Sequence, residues 1–215
     1  MRVLVTGADG VVGRVLCADL KPDFDVIALT RPERSAQGFD VTDPAGWQSL
    51  SPDLDQGLEG LIHTVGSFHY GRLEHTEPAI WRDLIASNLD AAYLAYRACI
   101  KGLRKRRGRM IFFTLAGSNS AKPEANLAAY AAAKAGLTSL AVSIAAAEAE
   151  HGVTCNMIAP GLLHNASDEE VAHYAVPAGR TAERAELCAT VRYLLSESAA
   201  QVTATTVPLS GGWRL

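Results

Sequence analysis

The chain has 215 residues, 48% of them hydrophobic and 20% charged, and a formal net charge of -3. That length and composition suit a globular protein with a sizeable core, and the small net charge gives no global attraction to nucleic acid or to an anionic membrane. No apolar run reaches the roughly 18 residues needed to span a bilayer, and Gly7 comes too early for a secretory signal.

Arg2 to Thr6 is a short apolar run that reads as a buried parallel strand. It leads straight into Thr6-Gly7-Ala8-Asp9-Gly10-Val11-Val12-Gly13, followed by an amphipathic stretch from Arg14 to Leu20. Strand, glycine turn and helix in that order are the setting of a dinucleotide-binding turn. Glycines permit the tight turn, let a backbone approach a pyrophosphate and let the helix pack closely on the sheet. The helix N-terminus then presents free N–H groups to the phosphates. Gly7, Asp9, Gly10, Val11, Val12 and Gly13 are therefore candidate cofactor contacts. Their spacing is GxxGxxG, not the commoner GxGxxG.

Asp25 to Thr30 reads as a second strand. The residue just past it meets the adenosine ribose in this kind of fold, and an acid there favours NAD. Here the tip is Thr30-Arg31, and an arginine suits a 2′-phosphate, so NADP is expected ahead of NAD. Gly38-Phe-Asp-Val-Thr-Asp43 follows so soon that the usual crossover helix is abbreviated. Asp40 and Val41 are expected at a strand end, near the adenine.

Trp47 to Leu58 reads as a helix and Gly60 to Val65 as a strand ending at Gly66. Ser67 to His75 is a loop at the C-terminal edge of the sheet, where ligands bind. His63, His69 and His75 could touch substrate but read more simply as solvated loop histidines. Pro78 to Cys99 is expected to be one long helix with the apolar stripe Ile80, Leu84, Ile85, Leu89, Tyr93 and Leu94. Asn88 sits inside it, and asparagine is a poor helix interior residue. A buried asparagine there needs a reason: a kink, a bound water or a link to catalysis.

Lys101 to Arg109 is a basic cluster. It reads as a solvated helix end, where cations are favoured by the dipole, and not as a nucleic-acid site, since no aromatic residues are interleaved with it. Met110 to Leu115 is a strand and Ala116 to Asn126 a polar loop. Ala128 to Glu150 is rich in alanine and leucine and reads as a helix. Tyr130 and Lys134 lie four apart and share one face of it. A nearby cation favours phenolate over phenol, so the pair is expected to pull Tyr130 below its free pKa of about 10 and fit it for proton transfer. Val153 to Ile158 is a strand followed by Pro160-Gly161, and Leu162 to Pro177 is short and polar. Ala182 to Ser196 is a helix, and Thr205 to Leu209 a last strand before Ser210-Gly-Gly-Trp213.

Alternating strands and helices, with no repeat and no linker, imply one α/β domain across residues 1–215: a Rossmann-type, doubly wound parallel sheet. Cys17, Cys99, Cys155 and Cys188 are far apart and make no CxxC, so they read as reduced thiols of a cytoplasmic protein. The histidines have no metal spacing, and no metal is expected.

Taken together, these pieces resemble the short-chain dehydrogenase/reductase family, in the family's order and over nearly the whole chain. The matching stretches are Thr6 to Gly13, Asp40-Val-Thr-Asp43, His63-Thr64-Val65-Gly66 (where the family usually has Asn-Asn-Ala-Gly), Asn88, Tyr130-Ala-Ala-Ala-Lys134, Asn156-Met-Ile-Ala-Pro160-Gly161, Val176-Pro-Ala-Gly-Arg180 and Ser210-Gly-Gly-Trp213. The resemblance implies NAD(P)-dependent hydride transfer between the nicotinamide and a small carbonyl or alcohol substrate. Tyr130 would be the general acid or base, and Lys134 would hold the nicotinamide ribose. Asn88 would hold a water linking Lys134 to solvent, and a serine would steady the carbonyl oxygen. Thr64, Val65, Gly66, Pro160 and Gly161 would join the cofactor site. The family serine lies thirteen residues before the tyrosine, which here is Gly117. Ser118 is taken as the hydroxyl, with Ser120 and Thr114 as alternatives. Thr114-Leu-Ala-Gly117 also resembles pteridine-reducing members, and a dinucleotide-binding sensor or scaffold without catalysis is the other alternative. Family members commonly pair the tyrosine helix across a dimer or tetramer interface. The small residues Ala131, Ala135, Ala141 and Ala145 suit such pairing, so a homo-oligomer is expected.

Overall fold

A computed structural model describes residues 1–32, 38–117, 125–161 and 176–214. Six parallel strands form one sheet: β1 (Arg2–Thr6), β2 (Asp25–Leu29), β3 (Gly60–His63), β4 (Arg109–Phe113), β5 (Thr154–Pro160) and β6 (Thr206–Leu209), in the order β2-β1-β3-β4-β5-β6. The central strands are apolar on both faces because both are covered. Leu4, Leu61, Met110, Phe112, Cys155 and Met157 point to one side, and Val3, Val5, Ile62, Ile111 and Ile158 to the other. α1 (Val11–Leu20) and α6 (Arg184–Leu195) cover the second side through Leu16, Leu20, Leu187, Val191 and Leu194. α2 (Pro44–Leu54), α4 (Ala91–Arg106) and α5 (Ala128–Glu148) cover the first through Trp47, Leu54, Leu103, Leu137 and Ile144.

The chain passes from β1 outward to β2 and then returns across β1 to β3. Such a reversal opens a crevice at the carboxyl ends of β1 and β3, the place where ligands bind in open α/β sheets.

Several elements differ from the sequence expectation. Asp40 and Val41 do not end a strand. Phe39 N donates to Thr30 O at 2.8 Å, so the chain returns directly to the β2 tip. Asp40 Oδ1 accepts from Thr42 N and Thr42 Oγ1, at 2.8 and 2.7 Å, making a side-chain turn. Asp43 then caps α2 by accepting from Ala45 N and Gly46 N. Val41 is buried beside Trp47, whose Nε1 donates to Val41 O at 2.8 Å. With Asp43 as its cap, α2 starts at Pro44, three residues earlier than expected, and it ends at Leu54.

The long helix expected over Pro78 to Cys99 is broken. α3 (Pro78–Ile85) passes through a π turn at Ala86–Asp90 into α4, which continues to Arg106. Arg107 closes α4 in the left-handed conformation, φ 49°.

The basic cluster is bound up in the fold. Lys101 pairs with Asp55, Arg104 with Glu148 and Arg106 with Glu59. Arg109 is buried and donates to the carbonyl oxygen of Arg107. Ala128–His151 is long and apolar enough, by composition, to cross a membrane. Lys134, Thr138, Ser139 and Ser143 interrupt it, which is why no continuous apolar run is visible in the sequence. Ala141 and Ala145 are packed inside on the sheet, whereas Ala135 is exposed on the outer face of α5.

Candidate active site

The glycine turn is built by close approach. Gly7 has φ +67°, and a Cβ there would lie 2.8 Å from Thr64 Oγ1 and 3.0 Å from Val65 Cγ2. A Cβ on Gly13 would lie 2.1 Å from Gly7 O. These glycines therefore draw α1 and the β3 tip tightly around the turn. Gly10 N donates to Gly7 O at 2.9 Å, and Ala8 N donates to Leu29 O at 3.0 Å, tying the turn to the β2 tip. Thr64 Oγ1 donates to Thr6 O at 2.7 Å. Among the described residues no side chain caps α1, so the N–H groups of Val11, Val12 and Gly13 at its first turn face an anion at the crevice. Gly7, Gly10, Val11, Val12, Gly13, Thr64 and Val65 thus meet at one place. The tight glycine turn and the uncapped helix end fit a dinucleotide pyrophosphate. At the β2 tip beside the turn, Arg31 Nε donates to Asp9 Oδ2 at 2.9 Å.

Across the crevice stands α5. Lys134 is 4% exposed, and its Nζ donates to Phe113 O at 2.7 Å, which pins α5 to the end of β4. Asn88 is fully buried in the π turn. Its Nδ2 donates to Ser67 O and Leu84 O, each at 3.0 Å, while Oδ1 has no hydrogen-bond partner among the described residues. The position a Gly66 Cβ would take lies 2.2 Å from Asn88 Oδ1 and 3.2 Å from Lys134 Nζ. Both atoms therefore converge beside Gly66. A buried acceptor without a donor is costly, and one facing a buried ammonium fits a bridging water of the kind expected from the resemblance. The break in the helix is what turns Asn88 inward.

Tyr130 is half-buried on the same face of α5, and Lys134 Nζ lies 5.7 Å from its ring centroid. Here one expectation is corrected. Burial pushes the Tyr130 phenol up, to about 12, and pushes the Lys134 ammonium down, to about 8. At this separation desolvation outweighs the pull of the cation.

Of the three candidate hydroxyls, that of Thr114 alone lies among the described residues. Gly117 has φ +77°, and a Cβ there would meet Arg214 O at 2.7 Å, so the position thirteen residues before Tyr130 has no room for a side chain. Thr114 is buried, and its Oγ1 bonds Thr138 Oγ1 at 2.9 Å and Lys134 O at 3.4 Å. Its hydroxyl is turned to α5. Ser118 and Ser120 lie outside the described residues.

His63 is not a loop residue. It ends β3, is 1% exposed, and its Nδ1 lies 2.8 Å from Thr6 Oγ1. Burial, reinforced by the charge of Lys134, pushes its pKa down to about 3, so the ring is neutral. Four partners were missed in the sequence. Phe68 meets the Tyr130 ring edge-on at 5.1 Å. Ser67 and Ser87, joined at 2.7 Å, shore up Asn88. The Phe113 carbonyl holds Lys134. None has a sequence signal, because the partners come together from separate stretches of chain and Phe113 contributes only its backbone carbonyl. Pro160 ends β5, and Gly161 N donates to Leu209 O at 3.0 Å. A Gly161 Cβ would lie 2.9 Å from Ser210 Cα, so the β5 and β6 tips close together there.

A family model described as enoyl-(acyl carrier protein) reductase matches residues 13–214. The chain is 30% identical to the 3-oxoacyl-[acyl-carrier-protein] reductase FabG of Escherichia coli, over 97% of this chain and 95% of that protein. It is 32% identical to the 3-oxoacyl-[acyl-carrier-protein] reductase MabA of Mycobacterium tuberculosis, over 98% and 91%. Its fold matches that of an actinorhodin polyketide ketoreductase variant solved with NADPH, with a TM-score of 0.85, 22% identity and 99% and 97% coverage. It also matches a putative gluconate dehydrogenase from Agrobacterium tumefaciens, with a TM-score of 0.87, 24% identity and 99% and 95% coverage. The glycine turn at the switch point, the Tyr130–Lys134 helix and the inward-turned Asn88 stand in the expected order along a chain that these relatives match nearly end to end, and the chain belongs to the short-chain dehydrogenase/reductase family of oxidoreductases.

Proposed function

We propose that the protein is an NADPH-dependent carbonyl reductase in which Tyr130 donates the proton, and that its substrate is a small 3-oxoacyl thioester or a carbonyl compound like it. The relatives' names motivate both the substrate class and, with Arg31 at the β2 tip, the choice of NADP over NAD. The observation that carries the reading is the convergence of Asn88 Oδ1 and Lys134 Nζ beside Gly66, on the helix face that also presents Tyr130.

Bound NADPH would supply the hydride. The residues of the chain do the rest. Gly7, Gly10 and Gly13, with the N–H groups of Val11 and Val12, would hold the pyrophosphate. Thr30 and Arg31, with Asp40 and Val41 behind them and Thr64 and Val65 packed on Gly7, would line the adenosine side, and Gly66, Pro160 and Gly161 would frame the nicotinamide half. The Lys134 ammonium, freed from Phe113 O, would bind the nicotinamide ribose and bring its charge to the Tyr130 oxygen. That charge offsets the burial that otherwise holds the phenol at about 12. Ser118 would hydrogen-bond the carbonyl oxygen and stabilise its growing negative charge. Tyr130 would then give its proton to that oxygen, and a water on Asn88 Oδ1 would resupply it through Lys134. We also place the whole chain in one cofactor-binding domain of a cytoplasmic homo-oligomer. The exposed small residues Ala132, Ala135, Ser139 and Ala146 on α5 support the oligomer.

The test is NADPH consumption with acetoacetyl-CoA and, in parallel, crotonyl-CoA. Wild type should reduce the former, and Tyr130→Phe should bind NADPH but turn over roughly 10²–10⁴-fold more slowly. Turnover of crotonyl-CoA alone would overturn the carbonyl reading. Unchanged turnover in Tyr130→Phe would remove Tyr130 as the acid.

A further inference from the structure

The adenosine end of the crevice carries two opposite charges. Asp9 comes from the glycine turn and Arg31 follows the tip of β2. Arg31 Nε donates to Asp9 Oδ2 at 2.9 Å, and Arg31 N to Asp9 Oδ1 at 3.4 Å. The Asp9 side chain is 13% exposed and that of Arg31 59%, so the carboxylate lies on the floor and the guanidinium on the lip. Burial alone would raise the Asp9 pKa, but the hydrogen bonds from Arg31 outweigh it and hold the carboxyl below its usual range.

In dinucleotide folds an acid near the ribose accepts from the 2′-hydroxyl, and an arginine accommodates the 2′-phosphate. Here both occupy one spot, and the acid comes from the glycine turn, not from the end of β2. A 2′-phosphate reaching this spot meets a cation already offset by an anion. A ribose with a free 2′-hydroxyl meets an acceptor.

Resting on the cofactor reading above, we propose that Asp9 is a specificity-determining residue: by pairing with Arg31 and offering its own carboxylate to the ribose, it holds down the preference for a 2′-phosphate and lets the site accept both NADPH and NADH. The discrimination then belongs to the pair, not to Arg31 alone.

The experiment measures binding of 2′,5′-ADP and 5′-AMP, which differ at this end only by the 2′-phosphate, to wild type, Asp9→Asn, Arg31→Ala and the double variant. NADPH and NADH are titrated alongside. Asp9→Asn should shift the affinity ratio toward 2′,5′-ADP by roughly two- to fivefold, the scale of a partly exposed ion pair. Arg31→Ala should shift it the other way, and the Asp9→Asn effect should shrink in the Arg31→Ala background and at high salt. Asp9→Ser removes the same charge and serves if Asp9→Asn does not fold. A ratio that is unchanged or falls when the Asp9 charge is removed, while wild type binds both fragments and both cofactors, overturns the Asp9 proposal alone. Wild type that binds neither fragment nor cofactor overturns the cofactor reading and this proposal with it.

Discussion

Burial at Lys134 lowers its pKa from 10.5 to about 8, and this has two consequences of opposite sign. For stability, the unfolded lysine holds its proton between pH 8 and 10.5 while the folded one releases it. The unfolded state then binds more protons, so stability rises with pH through that window. For activity, the role proposed for the ammonium is to lower the Tyr130 pKa by its charge, so kcat/KM for carbonyl reduction, which reports the free enzyme, should fall as pH rises through about 8. Lys134→Met should abolish both trends, seen in melting curves and pH–rate profiles; an unchanged rate profile would mean another group sets it. Gly66→Ala is a second residue-scale test. Its Cβ would lie 2.2 Å from Asn88 Oδ1, so overpacking should cost about 1–3 kcal/mol in denaturant melts. The pairing of Tyr130 with Lys134 was legible because residues four apart share a helix face. The direction of the Tyr130 shift was not, because it depends on how deeply the rest of the chain buries the phenol.

Between elements, α4 and α5 are clamped by Glu148. Its carboxylate accepts from Tyr96 at 2.7 Å and from Arg104 Nε and Nη2 at 2.7 and 2.9 Å. Burial would raise its pKa, but the bonds from Arg104 and Tyr96 outweigh burial and hold it below 4.5. The clamp should therefore contribute stability above pH 4.5 that is lost as pH falls through the lowered value. Glu148→Gln should melt lower at neutral pH, and its gap to wild type should narrow in acid. A gap that stays constant would mean the carboxylate is not the acid-sensitive group. Element types were readable from periodicity and composition. The π turn was readable only as an anomaly, an asparagine where a helix does not want one. Its form depends on Ser67, Leu84 and Ser87 arriving around that side chain.

For the molecule as a whole, the order β2-β1-β3 puts the glycine turn, the Arg31 tip and the Gly66 loop around one crevice, with α5 facing them. A cofactor filling it should stabilise the whole fold. NADPH at about 100 times its Kd should add about 2.7 kcal/mol, visible as a higher melting midpoint, and a midpoint indifferent to NADPH and NADH would deny the crevice that role. The basic cluster shows the same scale from the other side. In sequence it is a run of cations; in the fold Lys101, Arg104 and Arg106 each meet an acid from another element.

The alternation of strands and helices, the glycine turn after the first strand and the Tyr130–Lys134 face could all be read from residues close together along the chain. These are local properties: hydrophobic period, backbone freedom at glycine and the pitch of a helix. The assembled fold was needed to see that Asp40 and Val41 serve a turn and the core and end no strand, that His63 is a buried neutral ring, that Asp9 holds Arg31, and that Arg214 leaves Gly117 no room for a side chain. Each of these is set by an atom distant along the chain, and burial and charge pairing exist only once those atoms are brought together.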